Sequence, residues 1–586
     1  MSACPTCGHH LDGLIGESIP SISKTPPNST VPIVRAQQED PTSCQKEVDR
    51  LDVVIKRLNE QRAYFLRTIN NAQAATRRLP PEVMSAIFLL TRPPIDFEKR
   101  NSKINYQTFV SSERHLFEED GFQLVLGAVC HRWRQIAWST PQLWTSISVK
   151  VCDPELESNA SILNLYFQNV QGLPLTIELD LDAQWQKLQE AKDDEERSKS
   201  LASLEPIRTS VFVDNAHRIQ TLFLSSPPPE WVSSIGPSLS RCQKLFLAYT
   251  SPESLKEDHL SGLPGLQALR EISLESFYNP FKLHYPTITV IHLKKVPISQ
   301  CLDLLVKCPN LVEFESPESR PDDVIINSRS TPTIHGRVVL QNLERLRWRI
   351  SGDIYGHAFL RHVRFARLHH LEWSGAHYDT EFEESRPADI HASFISFFSE
   401  LPPTVRSLAI GDFLMTYQIT HDLLCSIPPT VPITYLSIFD VTTEDSAMVM
   451  SMIGRPVAGL VEDREDGLAT VDPSKRGGPR VLPFLQNLRP SIDPSNPWYD
   501  FVLEMVEALF ESRGKDVPFR LWLMEDSANN WKNSETKKRV KKLMKAGYDL
   551  EIMFGSDRRL STTSKTVEPG KLEFIPDPKK LPAVST

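Results

Sequence analysis

A short apolar unit recurs through the C-terminal two-thirds of the chain, and it restricts the available folds more than any other feature. The unit is apolar-x-x-apolar-x-apolar. It occurs as Ile219/Leu222/Leu224, Cys242/Leu245/Leu247, Leu269/Ile272/Leu274 and Ile288/Ile291/Leu293. It continues as Leu343/Leu346/Trp348, Leu368/Leu371/Trp373, Val405/Leu408/Ile410 and Ile433/Leu436/Ile438. Leu311/Phe314 is a weaker copy and Leu521/Leu523 a late one. The last two apolar residues of a unit are two apart, so they share one face of an extended strand. Most steps between units lie in or near the ~20–29 residues that one strand and its return segment occupy. The text between fits this: LDLLVKCPN and FISFFSELPPT read as apolar helices ending at proline. No unit buries its apolar face alone, so neighbours must stack into one continuous core.

This rhythm resembles an irregular leucine-rich-repeat solenoid over residues 151–555. The resemblance implies an α/β repeat fold with an extended concave surface suited to holding another protein. One family feature is missing. The Asn or Cys three residues after the last apolar position is replaced by Pro227, Thr250, Phe277, Val296, Ser351, Ala376, Phe413 and Val441. Without a buried asparagine ladder, uneven curvature is expected. Within the array, residues 455–480 are polar and aperiodic and read as an exposed loop. At its start, LPLTIELDLD reads as an alternating strand, with Leu175, Ile177, Leu179 and Leu181 on one face and Asp180 and Asp182 on the other. WQKLQEAKDDEERSKSLASLEPI reads as an exposed charged helix or loop. Late in the array come an amphipathic helix at Phe501 to Phe510, a basic helical run at 536–547 and a strand from Leu550 to Met553. Residues 556–586 read as a disordered tail.

Upstream, the stretch from Leu79 to Ile147 holds two apolar helical blocks around a polar insert, residues 91–120. The first is LPPEVMSAIFLL. Pro80 and Pro81 suit a first helical turn, where a missing N–H costs nothing. Glu82 lies where the helix dipole favours an anion. Val83, Ile87 and Leu90 fall on one face at steps of four and three. The second is LVLGAVCHRWRQIAWSTPQLWTSI. There Leu126, Val129, Trp133, Ile136 and Ala137 form one stripe, and Ser139-Thr140-Pro141 stops the helix. Leu79-Pro80, Glu82, Ile87-Phe88, Val129-Cys130, Trp133-Arg134 and Leu143-Trp144 together resemble an F-box, with a much longer insert than a compact one. The resemblance implies a non-catalytic substrate-receptor subunit of an SCF-type (Skp–cullin–F-box) ubiquitin ligase. It implies that Leu79, Pro80, Glu82, Val83, Ile87, Phe88, Cys130, Trp133 and Trp144 form or support the surface binding a Skp-type adaptor, which links to a cullin scaffold. The repeat array would hold a protein target. The alternative is a scaffold that uses the same surface without a degradation target.

Residues 1–43 read as a disordered tail containing Cys4-Pro-Thr-Cys7. Two thiolates at that spacing can share a metal, but a structural site needs four ligands and no second Cys-x-x-Cys follows. From Cys44 to Arg78 there is no glycine or proline. Val48, Leu51, Ile55, Leu58, Phe65, Ile69 and Ala72 step by three and four, with Arg62 at the remaining position. That is a heptad stripe, a coiled-coil signature. It serves equally to make a homodimer through 44–78 or to fold back on the F-box-like segment.

The net charge of −9 argues against a nucleic-acid partner, which calls for a basic face. Nine scattered cysteines fit reduced thiols, hence a cytoplasmic or nuclear setting. No apolar run reaches the ~18 residues of a membrane span. No nucleophile elbow, zinc-protease or phosphate-loop motif occurs, so no cofactor and no enzymatic activity are expected. The one enzymatic rival is metal-assisted chemistry at Asp180-x-Asp182.

Overall fold

The computed structural model describes residues 41–73, 75–92, 121–152, 155–249, 266–277, 285–320, 336–350, 359–375, 388–411, 417–439, 443–454, 460–462, 469–471, 480–490, 499–514, 517–523, 535–554 and 562–563. The chain divides into two compact units, 1–80 and 81–586.

Among its described residues the first unit contains one long helix, α1 (Pro41–Gln73), and a 3₁₀ turn at Ala75–Arg78. Pro41 starts the helix, as its fixed φ suits a first turn. The regular helix ends five residues before the end of the heptad span, after the weak helix formers Asn70 and Asn71. Glu47 and Arg50 pair along its surface at 2.7 Å.

The second unit is mixed α/β and opens with helices α2 (Pro81–Thr91), α3 (Phe122–Val129) and α4 (His131–Trp138) and a 3₁₀ turn at Pro141–Trp144. A sheet of 15 strands follows, its strand order that of the chain and every pairing but the last parallel. Its first members are β1 (Ser146–Lys150), β2 (Leu175–Asp180), β3 (Ile219–Ser225), β4 (Lys244–Ala248), β5 (Glu271–Glu275), β6 (Val290–Pro297) and β7 (Glu313–Arg320). β8 (Val338–Leu340) pairs with β10 (Val363–Phe365) to one side, while β9 (Arg345–Ile350) and β11 (His370–Gly375) continue the sheet. Then come β12 (Ser407–Gly411) and β13 (Tyr435–Phe439). β14 (Leu460–Glu462) and β15 (Ala469–Val471) form an antiparallel pair inside the stretch read from sequence as a loop. β16 (Asn487–Arg489), β17 (Phe519–Leu523) and β18 (Leu550–Phe554) complete the parallel part, and β19 (Thr562–Thr563) adds antiparallel from the C-terminal tail.

The recurring unit of the sequence is the core of this sheet. Its middle residues stand in register from strand to strand: Leu222, Leu245, Ile272, Ile291, Phe314, Leu346, Leu371, Leu408 and Leu436. Ile147 and Ile177 extend the row at one end, and Leu488, Leu521 and Ile552 at the other. All of these are buried. The weak copy at Leu311/Phe314 has a simple cause. Ser316 pairs with Trp348, occupies the third apolar position and is fully buried, 3.5 Å from the Cys301 sulfur.

Parallel strands need crossovers, and helices supply many of them. They are α5 (Leu156–Asn169), α6 (Asp182–Glu190), α7 (Asp194–Thr209), α8 (Pro229–Ser238), α9 (Ile298–Lys307), α10 (Ala388–Ser399), α11 (Tyr417–Ser426), α12 (Thr443–Met452), α13 (Tyr499–Arg513) and α14 (Glu535–Lys545). From α10 to α14 each packs on the next. The stretch read from sequence as an exposed charged helix or loop is helical, as α6 and α7, but it buries Trp185, Leu188, Leu204 and Ile207. Those residues recur at helical spacing, a signal masked by the charges between them.

The opposite side chains of the strands carry charge in cross-strand ladders. Lys244 pairs with Glu271, Lys294 with Glu275 at 3.0 Å, and Arg347 with Glu372 at 2.7 Å. His292 Nδ1 lies 3.2 Å from Glu315. Burial alone would raise the Glu315 carboxyl, but His292, with Arg347 and Arg345, holds it down at about 2. Burial works against a charged His292, yet Glu315 and its acidic neighbours raise it overall. The Glu315 contribution is complete above its ordinary 4.5 and is lost as pH falls through about 2. The His292 contribution is complete below its ordinary 6.5 and is lost as pH rises through its raised value. Replacing His292 with glutamine is therefore expected to cost ~1 kcal/mol at about pH 6 and almost nothing at about pH 9. Urea unfolding at the two pH values checks this; an equal loss at both would exclude an ionic origin.

A candidate docking site on the N-terminal helices

The two apolar helical blocks on either side of the insert pack together. Phe88 on α2 meets Trp133 on α4 with ring centroids 5.0 Å apart and planes at 56°. The Ser85 hydroxyl lies 2.8 Å from that of Thr140, which itself donates to the Ile136 carbonyl at 2.7 Å. Arg92, just past α2, donates to the carbonyls of Gln142 at 3.1 Å and Ser146 at 3.2 Å.

The orientation of α2 departs from the sequence reading. Met84 and Phe88, one turn apart, are its buried residues. Val83, Ile87 and Leu90 do share a stripe, but it faces outward, with 42, 37 and 86% exposure. The helix is apolar on most of its circumference, so periodicity alone could not choose its inner face. The choice falls to Phe88 because Trp133 receives it.

The second block also differs. The single stripe expected from Leu126 to Ala137 is two helices broken at Cys130, whose backbone is extended at φ −160° and ψ 167°. Cys130 caps α4: its sulfur accepts the Trp133 N–H at 3.4 Å. The break turns Val129 outward, while Leu126, Ile136 and Ala137 stay buried. Val125 is exposed beside it on α3. Gly127 permits the close approach of α3 and α4, because a Cβ there would lie 2.4 Å from the Trp138 ring. Arg134 Nε closes the pair on the Gly127 carbonyl at 2.8 Å.

Trp144 is fully buried, so it supports the segment rather than touching a partner. Its ring lies 4.9 Å from both Trp138 and Tyr166, and its Nε1 donates to the Ala137 carbonyl at 2.8 Å. The Tyr166 hydroxyl donates to Gln123 at 2.8 Å, and Gln123 donates to the Leu143 carbonyl. This satisfied polar network ties α3, the 3₁₀ turn and α5 together; sequence reasoning missed it, since neither Gln123 nor Tyr166 stands in a motif. Phe88, 1% exposed, likewise acts from within. Glu82 is exposed in the first turn of α2, and Trp133 and Cys130 are half-buried. Leu79 and Pro80 end the first unit, half-buried and exposed respectively, and Leu79 N–H donates to Thr76 at 3.2 Å.

Asp180 and Asp182 form a helix start. Asp180 ends β2, but Asp182 belongs to α6, not to the strand. The Asp182 N–H donates to Asp180 Oδ1 at 3.0 Å, and the Ser225 hydroxyl donates to Asp182 Oδ1 at 2.8 Å. Burial, then the Asp182 charge, pushes the Asp180 carboxyl up to about 6. Holding it ionised costs stability that grows from pH 3.8 to about 6. Asparagine at 180 keeps the acceptor and removes the charge. Asp180→Asn is expected to stabilise the protein by ~1–2 kcal/mol at about pH 8, with the gain shrinking in acid. Denaturant midpoints across pH measure it.

Among the described residues no group of three or more His, Cys, Asp or Glu side chains is placed to hold a metal. Cys4 and Cys7 lie outside the described residues, as does most of the insert. No helix among the described residues is long and apolar enough to cross a membrane. No protein-family model matches the chain, and no curated protein matches it.

Proposed function

We propose that this chain is the substrate-receptor subunit of an SCF-type ubiquitin ligase. The observation that carries the reading is the outward apolar stripe of α2, Val83, Ile87 and Leu90, held on a helix whose other side is locked by Phe88 on Trp133. Three large aliphatics exposed together on one short helix mark a surface for a partner to cover. The F-box resemblance supplies the partner: a Skp-type adaptor, and through it a cullin scaffold. We read the sheet and its return helices as an irregular leucine-rich-repeat-like solenoid whose charged strand face holds the protein target. The receptor then contributes position only, raising the target's local concentration beside the conjugating enzyme and donating no chemical group.

Alanine at both Leu79 and Pro80 is expected to weaken adaptor capture at least ~10-fold. Co-purification of a Skp-type adaptor with the tagged full-length chain tests this. Unchanged capture by the double variant would remove these two residues from the docking face, and failure of the native chain to capture any adaptor would end the reading.

A further inference from the structure

We infer that α1 makes the protein a dimer, as a parallel, in-register, two-stranded coiled coil with a second copy of itself. The inference does not rest on the adaptor reading. A lone helix of this kind is marginal in water, because most helical stability comes from packing an apolar face. Among the described residues nothing covers that face. Val48, Leu51, Ile55, Leu58, Phe65 and Ile69 are all exposed, between 45 and 57%.

The kind of residue at each heptad position selects the occupant. Taking Val48 as position a, the a layers are Val48, Ile55, Arg62 and Ile69. The d layers are Cys44, Leu51, Leu58, Phe65 and Ala72. Three of four a residues are β-branched, and two of the five d residues are leucine. That segregation favours two parallel strands, where a packs on a and d on d. An antiparallel pair would place a against d and give the segregation no role. A single polar residue at an a position fixes register and strand number at some cost in stability. Arg62 is that residue. Its aliphatic stem can lie along the seam while its guanidinium reaches water. One flanking contact opposes the pair, Glu47 against Asp52 of the second copy, and Arg50, bound to Glu47 at 2.7 Å, offsets part of it.

Cys44 gives the test its direction. In a parallel pair the two Cys44 side chains meet across one d layer, within reach of a disulfide. In an antiparallel pair they sit at opposite ends. The full-length chain is expected to run in light scattering near twice its 66.5 kDa mass at tens of micromolar. Mild oxidation is expected to trap a covalent dimer on a non-reducing gel, and Cys44→Ser to remove that band. Aspartate at both Ile55 and Leu58 should weaken association at least ~100-fold. Arg62→Leu, which adds an apolar layer, should strengthen it. A monomeric native chain at those concentrations overturns the proposal. A dimer that resists the aspartates, or one that Cys44 cannot cross-link, overturns the parallel α1 pairing. The aspartate variant should still capture the adaptor, so failure here is distinct from failure of the receptor reading.

Discussion

Aspartate at both Ile87 and Leu90 is expected to abolish adaptor capture while leaving unfolding within about 2 °C of the native chain. The two side chains are 37 and 86% exposed, so neither is needed for the core. Surface changes of this kind usually alter stability by no more than ~0.5 kcal/mol. Their effect on binding is different in kind. If the stripe of α2 is the docking face, each aspartate removes an apolar anchor and buries a charge against the partner. Losses at such positions run to ~2–4 kcal/mol each, so affinity should fall by ~1000-fold or more. Met84→Asp is the contrasting variant. Met84 is 1% exposed, and its replacement should unfold the helical segment rather than merely blunt it. Titration of the purified variant with a Skp-type adaptor separates these cases. Retained affinity in a folded Ile87→Asp, Leu90→Asp protein would sink the docking assignment.

Alanine at Phe359 should produce the largest loss of stability of any truncation considered. Phe359 is fully buried at the centre of an aromatic cluster. Its ring lies 4.6 Å from Trp348, 5.8 Å from Trp373 and 5.7 Å from Phe397. Those three rings come from β9, β11 and α10, so the cluster fastens two strands to a return helix. Phe-to-Ala changes in such cores cost ~3–5 kcal/mol through lost burial and the cavity left behind. Phe359→Leu keeps most of the volume and should cost ~1–2 kcal/mol. β9 and β11 pair with each other and with the strands next to them in the sheet, so the loss should concentrate locally. Hydrogen exchange at β9 and β11 should quicken far more than at β3 and β4. Uniform quickening along the whole sheet would show that the array melts as one block instead.

The repeat core was legible in the sequence because burial on one strand face leaves a strict period of two, and the chain repeats it with aligned residue types. Eight units were visible in full, and the sheet places their middle residues in one continuous row. Two of the parallel strands in the large sheet escaped notice for local reasons. In β16 the unit reads Leu485/Leu488 and then Pro490, which breaks the pattern although Pro490 is itself buried. β1 was hidden because Ile147 and Val149 come just after Trp144, at the end of the block read from sequence as helical. Helices α2 to α4 were harder. Steps of three and four fit the stripe Val83/Ile87/Leu90 and the stripe Met84/Phe88 equally well. Only a tertiary partner, Trp133, decides between them. The break at Cys130 was likewise invisible to periodicity, since a cap is set by one residue's backbone angles rather than by a pattern.

One short join has a consequence for anything that binds the strands. The 3₁₀ turn ends at Trp144 and β1 begins at Ser146, leaving Thr145 alone between them. Arg92 braces the same corner by grasping carbonyls on both sides of it. There is no tether to swing. Cargo seated on the strands would be presented at a set height and angle, and whether a given lysine is tagged would depend on where the cargo's own shape places it.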